Sequence, residues 1–483
     1  MRYLFVAIGA LLFHYGLAYK AAVIEYYSES RDTPSDTILK NLQNYRTHIE
    51  KVRDQGVEII VFPEYGLTTL VQDPEEYAID LANDTKIKTE LSDMAQEHAL
   101  YIVVNVLEKS KEDGSTTKYY NTNLVFNRNG DIIAKYRKIN LNNEPKLTPG
   151  TELVTFATNF GVNFGLFTGA DILHHNPSRS ILEFDNVTDI IYPTAWVSTL
   201  PFYSSLTVQR GYAQANGVNL LAANYAKAKD GRGGSGIYLY NGKYPEIYID
   251  SSPSSKPIVQ DVTKIDRRQK PTTCSSISPQ GLPIPDDKPK LADFKTLKKF
   301  DASDYTFKDV DLSKEQVSTT VCHRQFCCNF NLTIAQPANT AEFFKLMVYS
   351  GKSTLADEEQ NIRVCSLLAC KDNSKDSCGE RASSTTKFIR ISIGSQVESD
   401  NTTFYVPLTL NNDLRPIKET SYCEQSDSNN ATYIQLNTYR TQSEVLVFGI
   451  YGTSAGSSDV NAAIRHSTFI LLLWLVIAKF IVL

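Results

Sequence analysis

One pattern near the front of the chain limits its fold more than any other. Residues 20–26 read K-A-A-V-I-E-Y, and 57–62 read V-E-I-I-V-F. Both are short apolar runs that predict buried strands. Between them Ile38, Leu42, Tyr45, Ile49 and Val52 recur at spacings of three and four, so they share one helix face. Ser35 or Asp36 is positioned to cap this helix, and Gly56 to end it. A strand, an amphipathic helix and a second strand form a β-α-β unit, which points to a layered α/β core.

The same alternation continues. Residues 87–99 predict a helix, and 101–107 a strand. Residues 123–126 and 131–136 flank Asn129-Gly130, a type I′ hairpin signal. Further strands are expected at 163–167, 189–192 and 218–223, with a helix over 204–216. Ser- and Pro-rich stretches at 251–257 and 271–290 read as linker or surface wrapping. Beyond them come short β-type runs such as 387–393, 403–410 and 443–450, expected to form a second, mostly β domain.

The 483 residues suit two or three domains. Hydrophobic residues make up 42% and charged residues 21%, which is globular composition. Net charge is −5, with 49 basic and 54 acidic residues intermixed; no basic stripe argues for a nucleic-acid partner. All eight cysteines lie in the back half, at Cys274, Cys322, Cys327, Cys328, Cys365, Cys370, Cys378 and Cys423. An even count in a secreted chain predicts disulfides of unspecified pairing. Zinc is a poor reading of Cys322, Cys327 and Cys328, since adjacent cysteines rarely share a metal.

Both ends carry processing signals. Arg2, the apolar run 6–13 and the small residues of Gly16-Leu17-Ala18 predict a signal peptide over 1–18, with the mature chain starting near Tyr19 or Lys20. At the other end, small residues at 454–458, a polar spacer and the apolar tail 469–483 match a GPI-attachment pattern. Attachment is expected at Gly456 or Ser457, with 457–483 removed. The expected location is the extracellular face of the plasma membrane, with shedding as a variant of it. Sequons at Asn83, Asn186, Asn331, Asn401 and Asn430 are compatible with N-glycans; Asn176 is excluded by Pro177.

Three residues stand out for chemistry. Glu64, in V-F-P-E-Y-G, follows a predicted strand, where a sheet opens into a ligand crevice. Desolvated, it gains basicity; on its local sequence alone it reads as an exposed turn carboxylate. Lys138, in K-Y-R-K-I-N-L, can stabilise an oxyanion, although Lys135 and Arg137 are neighbours and a solvated basic patch is the plainer reading. Gly169 follows the strand 163–167 on a turn suited to displaying a nucleophile, and the Ala170 N–H could help form an oxyanion hole. Thr168 is expected to point elsewhere. Gly233-Gly234-Ser235-Gly236 reads as a flexible turn, the surrounding glycines are not a phosphate loop, and His174-His175 do not make a metal site.

V-F-P-E-Y-G, K-Y-R-K-I-N-L, F-G-L-F-T-G-A-D-I-L, Y-P-T-A-W-V, V-N-L-L-A-A-N and G-S-G-I-Y follow one another in an order and spacing that resemble the vanin and biotinidase branch of the nitrilase superfamily. The likeness is strongest over 20–280. It implies an α-β-β-α sandwich over 19–290 and an appended β-rich, disulfide-containing domain over 291–455. It also implies amidohydrolase ancestry toward carbon–nitrogen bonds other than peptide bonds, no cofactor, and a small amide such as pantetheine or a biotin amide as ligand. Residue by residue, Glu64 matches the family's general base and Lys138 its lysine. Glu144 matches an acidic residue near that site, and Trp196 a pocket wall. Gly169 matches the nucleophilic cysteine and departs from it, and no cysteine occurs before Cys274. The expectation is therefore an inactive or impaired relative that keeps an amide-binding pocket. The alternatives are an amidohydrolase using an atypical route, through Glu64-activated water or a cysteine from the back domain, and an adhesive or partner-binding surface protein.

Overall fold

The computed structural model describes residues 17–454, except Gln72, Thr85, 112–115, Asp185, 243–244, Thr273, 275–288, 299–300, 356–357, 399–402 and 429–430. The signal and GPI segments therefore lie outside the described residues, apart from Leu17 and Ala18, as do Asn401 and Asn430. Asn83, Asn186 and Asn331 are exposed. Among the described residues, no helix is long and apolar enough to cross a membrane.

The first layer of strands is β1 (Ala18–Glu25), β2 (Ile59–Val61), β3 (Tyr101–Ser110), β4 (Lys118–Phe126) and β5 (Ile132–Arg137). The second is β6 (Val154–Ala157), β7 (Asn163–Leu166), β8 (Asp189–Thr194), β9 (Asn219–Asn224), β10 (Ser235–Tyr238) and β11 (Glu246–Tyr248). A late strand, β12 (Lys256–Thr263), returns to the first sheet, whose order is β12-β1-β2-β3-β4-β5 with the short Ile79–Asp80 beside β3. The second sheet runs β11-β10-β9-β8-β7-β6. Helices α1 (Pro34–Arg53) and α2 (Lys86–His98) cover the first sheet; α3 (Ser205–Asn216) lies on the second.

Strand alternation explains this layering. Tyr19, Ala21 and Val23 join Ile59, Val61 and Val103 in the core shared with the second sheet. Their neighbours Ala22, Ile24, Ile60, Ile102 and Val104 turn the other way, onto Ile38, Leu42, Tyr45 and Ile49 of α1. Successive residues thus bury against different layers, and the fold is an α-β-β-α sandwich.

Several local expectations are corrected. The α1 cap is Thr33, whose side chain accepts from the Asp36 N–H, and Pro34 takes the first helical turn, where its missing N–H costs nothing. The helix ends at Arg53, three residues before Gly56. The 127–131 turn has only Gly130 at positive φ, while the Asn127 side chain accepts from the Asn129 and Asp131 N–H groups; a type I′ turn needs two positive-φ residues. Of the two Ser- and Pro-rich stretches, 251–257 ends in strand rather than linker, since β12 pairs with β1 from Ala18↔Thr263 to Glu25↔Lys256, and most of 271–290 lies outside the described residues.

The back half is two five-stranded antiparallel sheets enclosing one apolar core, in which Phe330, Ile391 and Leu436 face the region of Leu346, Val364 and Val447. Four disulfides join all eight cysteines: Cys274–Cys423, Cys322–Cys327, Cys328–Cys365 and Cys370–Cys378. Cys328–Cys365 ties one sheet to the other. The two halves meet on α3, buried along nearly its whole length, where Thr207 Oγ1 donates to Thr409 O at 2.8 Å and Arg210 donates to the Ile417 carbonyl.

Candidate active site

Glu64, Lys138 and Gly169 come from three separate strand ends and meet in one place. Glu64 follows β2, whose continuation is held by Phe62 N–H donating to Val103 O at 3.0 Å. Lys138 follows β5, its N–H donating to Asn121 O at 2.8 Å and its carbonyl accepting from Gly150 N–H at 2.8 Å. Gly169 begins a 3-10 turn, Gly169–Leu173, after β7. Asp171 fixes that turn: it accepts from the Thr168 N–H at 3.1 Å, from Tyr136 Oη at 2.6 Å, and from Asn140 N and Nδ2 at 2.8 Å each. Tyr192 Oη donates to the Gly169 carbonyl at 2.8 Å.

The exposed-carboxylate and solvated-lysine readings are both overturned. The side chains of Glu64 and Lys138 are 3% and 4% exposed, and Lys138 Nζ lies 2.8 Å from Glu64 Oε1. Lys135 and Arg137 turn to Glu108 instead, at 3.1 and 2.7 Å. Glu144 belongs to the cluster: its Oε2 accepts from Lys138 Nζ at 2.7 Å. Burial, and behind it the like charge of Glu144, hold the Glu64 carboxyl above its ordinary range against the pull of Lys138. Burial works against the Lys138 charge too, but the two carboxylates outweigh it and raise its pKa. Glu144 is also opposed by burial, yet Lys138 and the donors around it bring it below the usual carboxylate value. Neighbouring acids pushed apart in this way take different roles. Glu64 is suited to hold and release a proton, and Glu144 to remain the counter-ion of Lys138.

Gly169 has φ +54, and a Cβ built on it would stand 2.8 Å from Glu64 Oε2 and 3.0 Å from Lys138 Nζ. A side chain at this position would thus point at the acid and the amine. Thr168 does not, because its hydroxyl accepts from Asn123 Nδ2. Ala170 is buried next in the turn. Trp196 is half-buried and its indole donates to Tyr203 O at 2.8 Å. Its neighbour Ala195 reaches the cluster directly, with the N–H donating to Glu64 Oε2 at 2.8 Å.

The residues that escaped notice are asparagines. Asn121 Nδ2 donates to Glu64 Oε1 at 2.8 Å and to Glu144 Oε1 at 3.2 Å. Asn105 Nδ2 donates to Asn121 Oδ1 and Asn123 Oδ1, and Asn105 Oδ1 accepts the Tyr65 N–H at 2.9 Å. Tyr65, at φ 59, sends its hydroxyl to Glu144. A signal existed: asparagine is disfavoured inside strands, yet Asn105, Asn121 and Asn123 interrupt apolar runs. Among the described residues, no group of three or more His, Cys, Asp or Glu side chains could hold a metal ion.

Two family profiles match the chain, carbon-nitrogen hydrolase over residues 20–244 and vanin C-terminal domain over 294–457. Vanin-like protein 1 of Drosophila melanogaster is 29% identical across 90% of this chain and 88% of its own length. The pantetheinase of Homo sapiens is 29% identical across 75% of each chain. The biotinidase of Bos taurus is 28% identical across 76% of this chain and 80% of its own. Two matching profiles in this order, on an α-β-β-α sandwich with a buried Glu–Lys pair, place the chain in the vanin and biotinidase branch of the nitrilase, or carbon-nitrogen hydrolase, superfamily.

Proposed function

We propose that this chain is a GPI-anchored extracellular vanin-like protein that keeps a pocket for a small amide and has lost the covalent step of amide hydrolysis. The observation that carries the reading is Gly169. Its absent side chain would lie against Glu64 and Lys138, where a nucleophile would be activated. No other thiol can take its place, because all eight cysteines are joined in disulfides. The remaining groups can hold a carbonyl and move a proton, but no side chain at position 169 can form an acyl intermediate.

Pantetheine and biotin amides are the first ligands to test, since relatives are a pantetheinase and a biotinidase. The expected domain division is 19–290 for the hydrolase-like part and 291–455 for the β-rich part, after removal of 1–18 and 457–483. Release of the protein from cells by a phosphatidylinositol-specific phospholipase tests the anchor. Calorimetry with both amides, alongside a hydrolysis assay, tests the pocket. Binding without turnover is expected; clear turnover abolished by Glu64→Gln would defeat the loss of chemistry. That outcome would favour the second reading, water activated directly by Glu64, which its burial-raised basicity supports.

A further inference from the structure

Arg232 lies in Gly231-Arg232-Gly233-Gly234, a run whose composition reads as a flexible turn. The fold pins it instead. Arg232 N–H donates to Lys227 O at 3.2 Å, and its carbonyl accepts from Lys227 N–H at 3.0 Å. The Gly231 carbonyl accepts from Ser198 N–H at 2.8 Å, and the Gly233 carbonyl from Ser205 Oγ and Asn224 Nδ2. The side chain is half-buried, and its Nε donates to Ala195 O at 3.0 Å. Ala195 is the residue whose N–H holds Glu64 Oε2. The guanidinium is thus mounted on the backbone that positions the acid.

Its outer edge is unspent. Among the described residues, neither Nη makes a hydrogen bond and no carboxylate forms an ion pair with it. Asp230, two residues earlier in the chain, is taken by Lys227 at 2.7 Å. Burial lowers the pKa of the guanidinium, and Asp230, Glu64, Tyr225 and Tyr65 oppose that only from a distance. A partly desolvated guanidinium without an anionic partner is unusual. With Nε occupied, the two Nη groups present parallel donors, a geometry that suits the paired oxygens of a carboxylate or phosphate. Lys138 cannot serve such an anion, being held between two carboxylates.

We infer that Arg232 is an anion subsite for the distal carboxylate or phosphate of an amide ligand whose amide lies against Glu64 and Lys138. The inference rests on the amide-pocket reading and adds a substrate class to it: amides carrying an anionic end.

Calorimetry on the full secreted chain with matched pairs tests it: 4′-phosphopantetheine against pantetheine, and N-biotinyl-6-aminohexanoate against its primary amide. The anionic member of at least one pair should bind roughly tenfold tighter, the scale of a charged hydrogen bond. The two pairs separate phosphate from carboxylate. Arg232→Gln should erase the gap between the two members, whatever loss both share through the missing Ala195 contact, and Arg232→Lys should restore part of the gap. An arginine that only braces Ala195 would instead weaken both members alike. Equal binding of both members to the wild-type chain overturns the inference, as does a preference that survives in folded Arg232→Gln. Should that variant fail to fold, the salt dependence of the wild-type gap decides: a gap insensitive to salt overturns the subsite, and one that shrinks supports it. Inorganic phosphate is the separating probe. If it binds through Arg232 while no amide binds, the anion subsite stands and the amide-pocket reading fails.

Discussion

Lys138 Nζ and Glu64 Oε1 are 2.8 Å apart with both side chains buried, and the Cα of Gly169 faces them with nothing attached. The pair is a complete proton-handling unit beside an empty position. Its cost is desolvation, and its cohesion depends on Glu144, Asn121 and the Ala195 N–H completing the shell.

Gly169→Cys should create amidase activity that Gly169→Ala does not. The new Cβ meets only the ends of two flexible side chains, which can give way, but φ +54 costs a non-glycine residue about 1–2 kcal/mol. Both variants should therefore lose a similar amount in thermal unfolding, and only the cysteine variant should hydrolyse pantetheine and take up iodoacetamide. A folded cysteine variant inert to both reagents would mean that the pocket geometry is not the family's.

Lys138→Met leaves two buried carboxylates without their cation. Breaking such a pair costs about 3–5 kcal/mol. Urea unfolding at neutral pH should show that loss, and it should shrink in acid as the carboxylates take up protons. A loss independent of pH would point to packing rather than charge.

Glu25 is buried, accepts from the Gly234 N–H and from Ser235 Oγ, and is pushed up by burial to about 8 from 4.5. Between those values the folded chain keeps the proton that the unfolded chain gives up. Stability attributable to this group therefore falls as pH rises from about 4.5 to 8. Glu25→Gln should flatten that slope, read as melting temperature against pH.

The Cys274–Cys423 disulfide spans 149 residues and joins the segment after the first sandwich to the second. Chain entropy assigns such a loop roughly 5 kcal/mol. The double serine variant should unfold at markedly lower denaturant; an unchanged midpoint would mean that the α3 interface alone holds the halves together.

Much of this molecule was written in local pattern. The helix face from Ile38 to Val52, the strands on either side, and the helix that became α3 follow from pattern over a few residues. The order of the motifs carried the family, and the even cysteine count carried the disulfides. What local pattern could not supply was burial. Glu64 and Lys138 look like surface charges because nothing within several residues of either reveals that the other lies across the sheet. The return of β12 to β1, the four cysteine pairings, the asparagine network and the unspent edge of Arg232 depend on contacts between distant segments. Side-chain periodicity has no memory over such distances. Only closure of the two sheets on each other removes the water and sets these groups against one another.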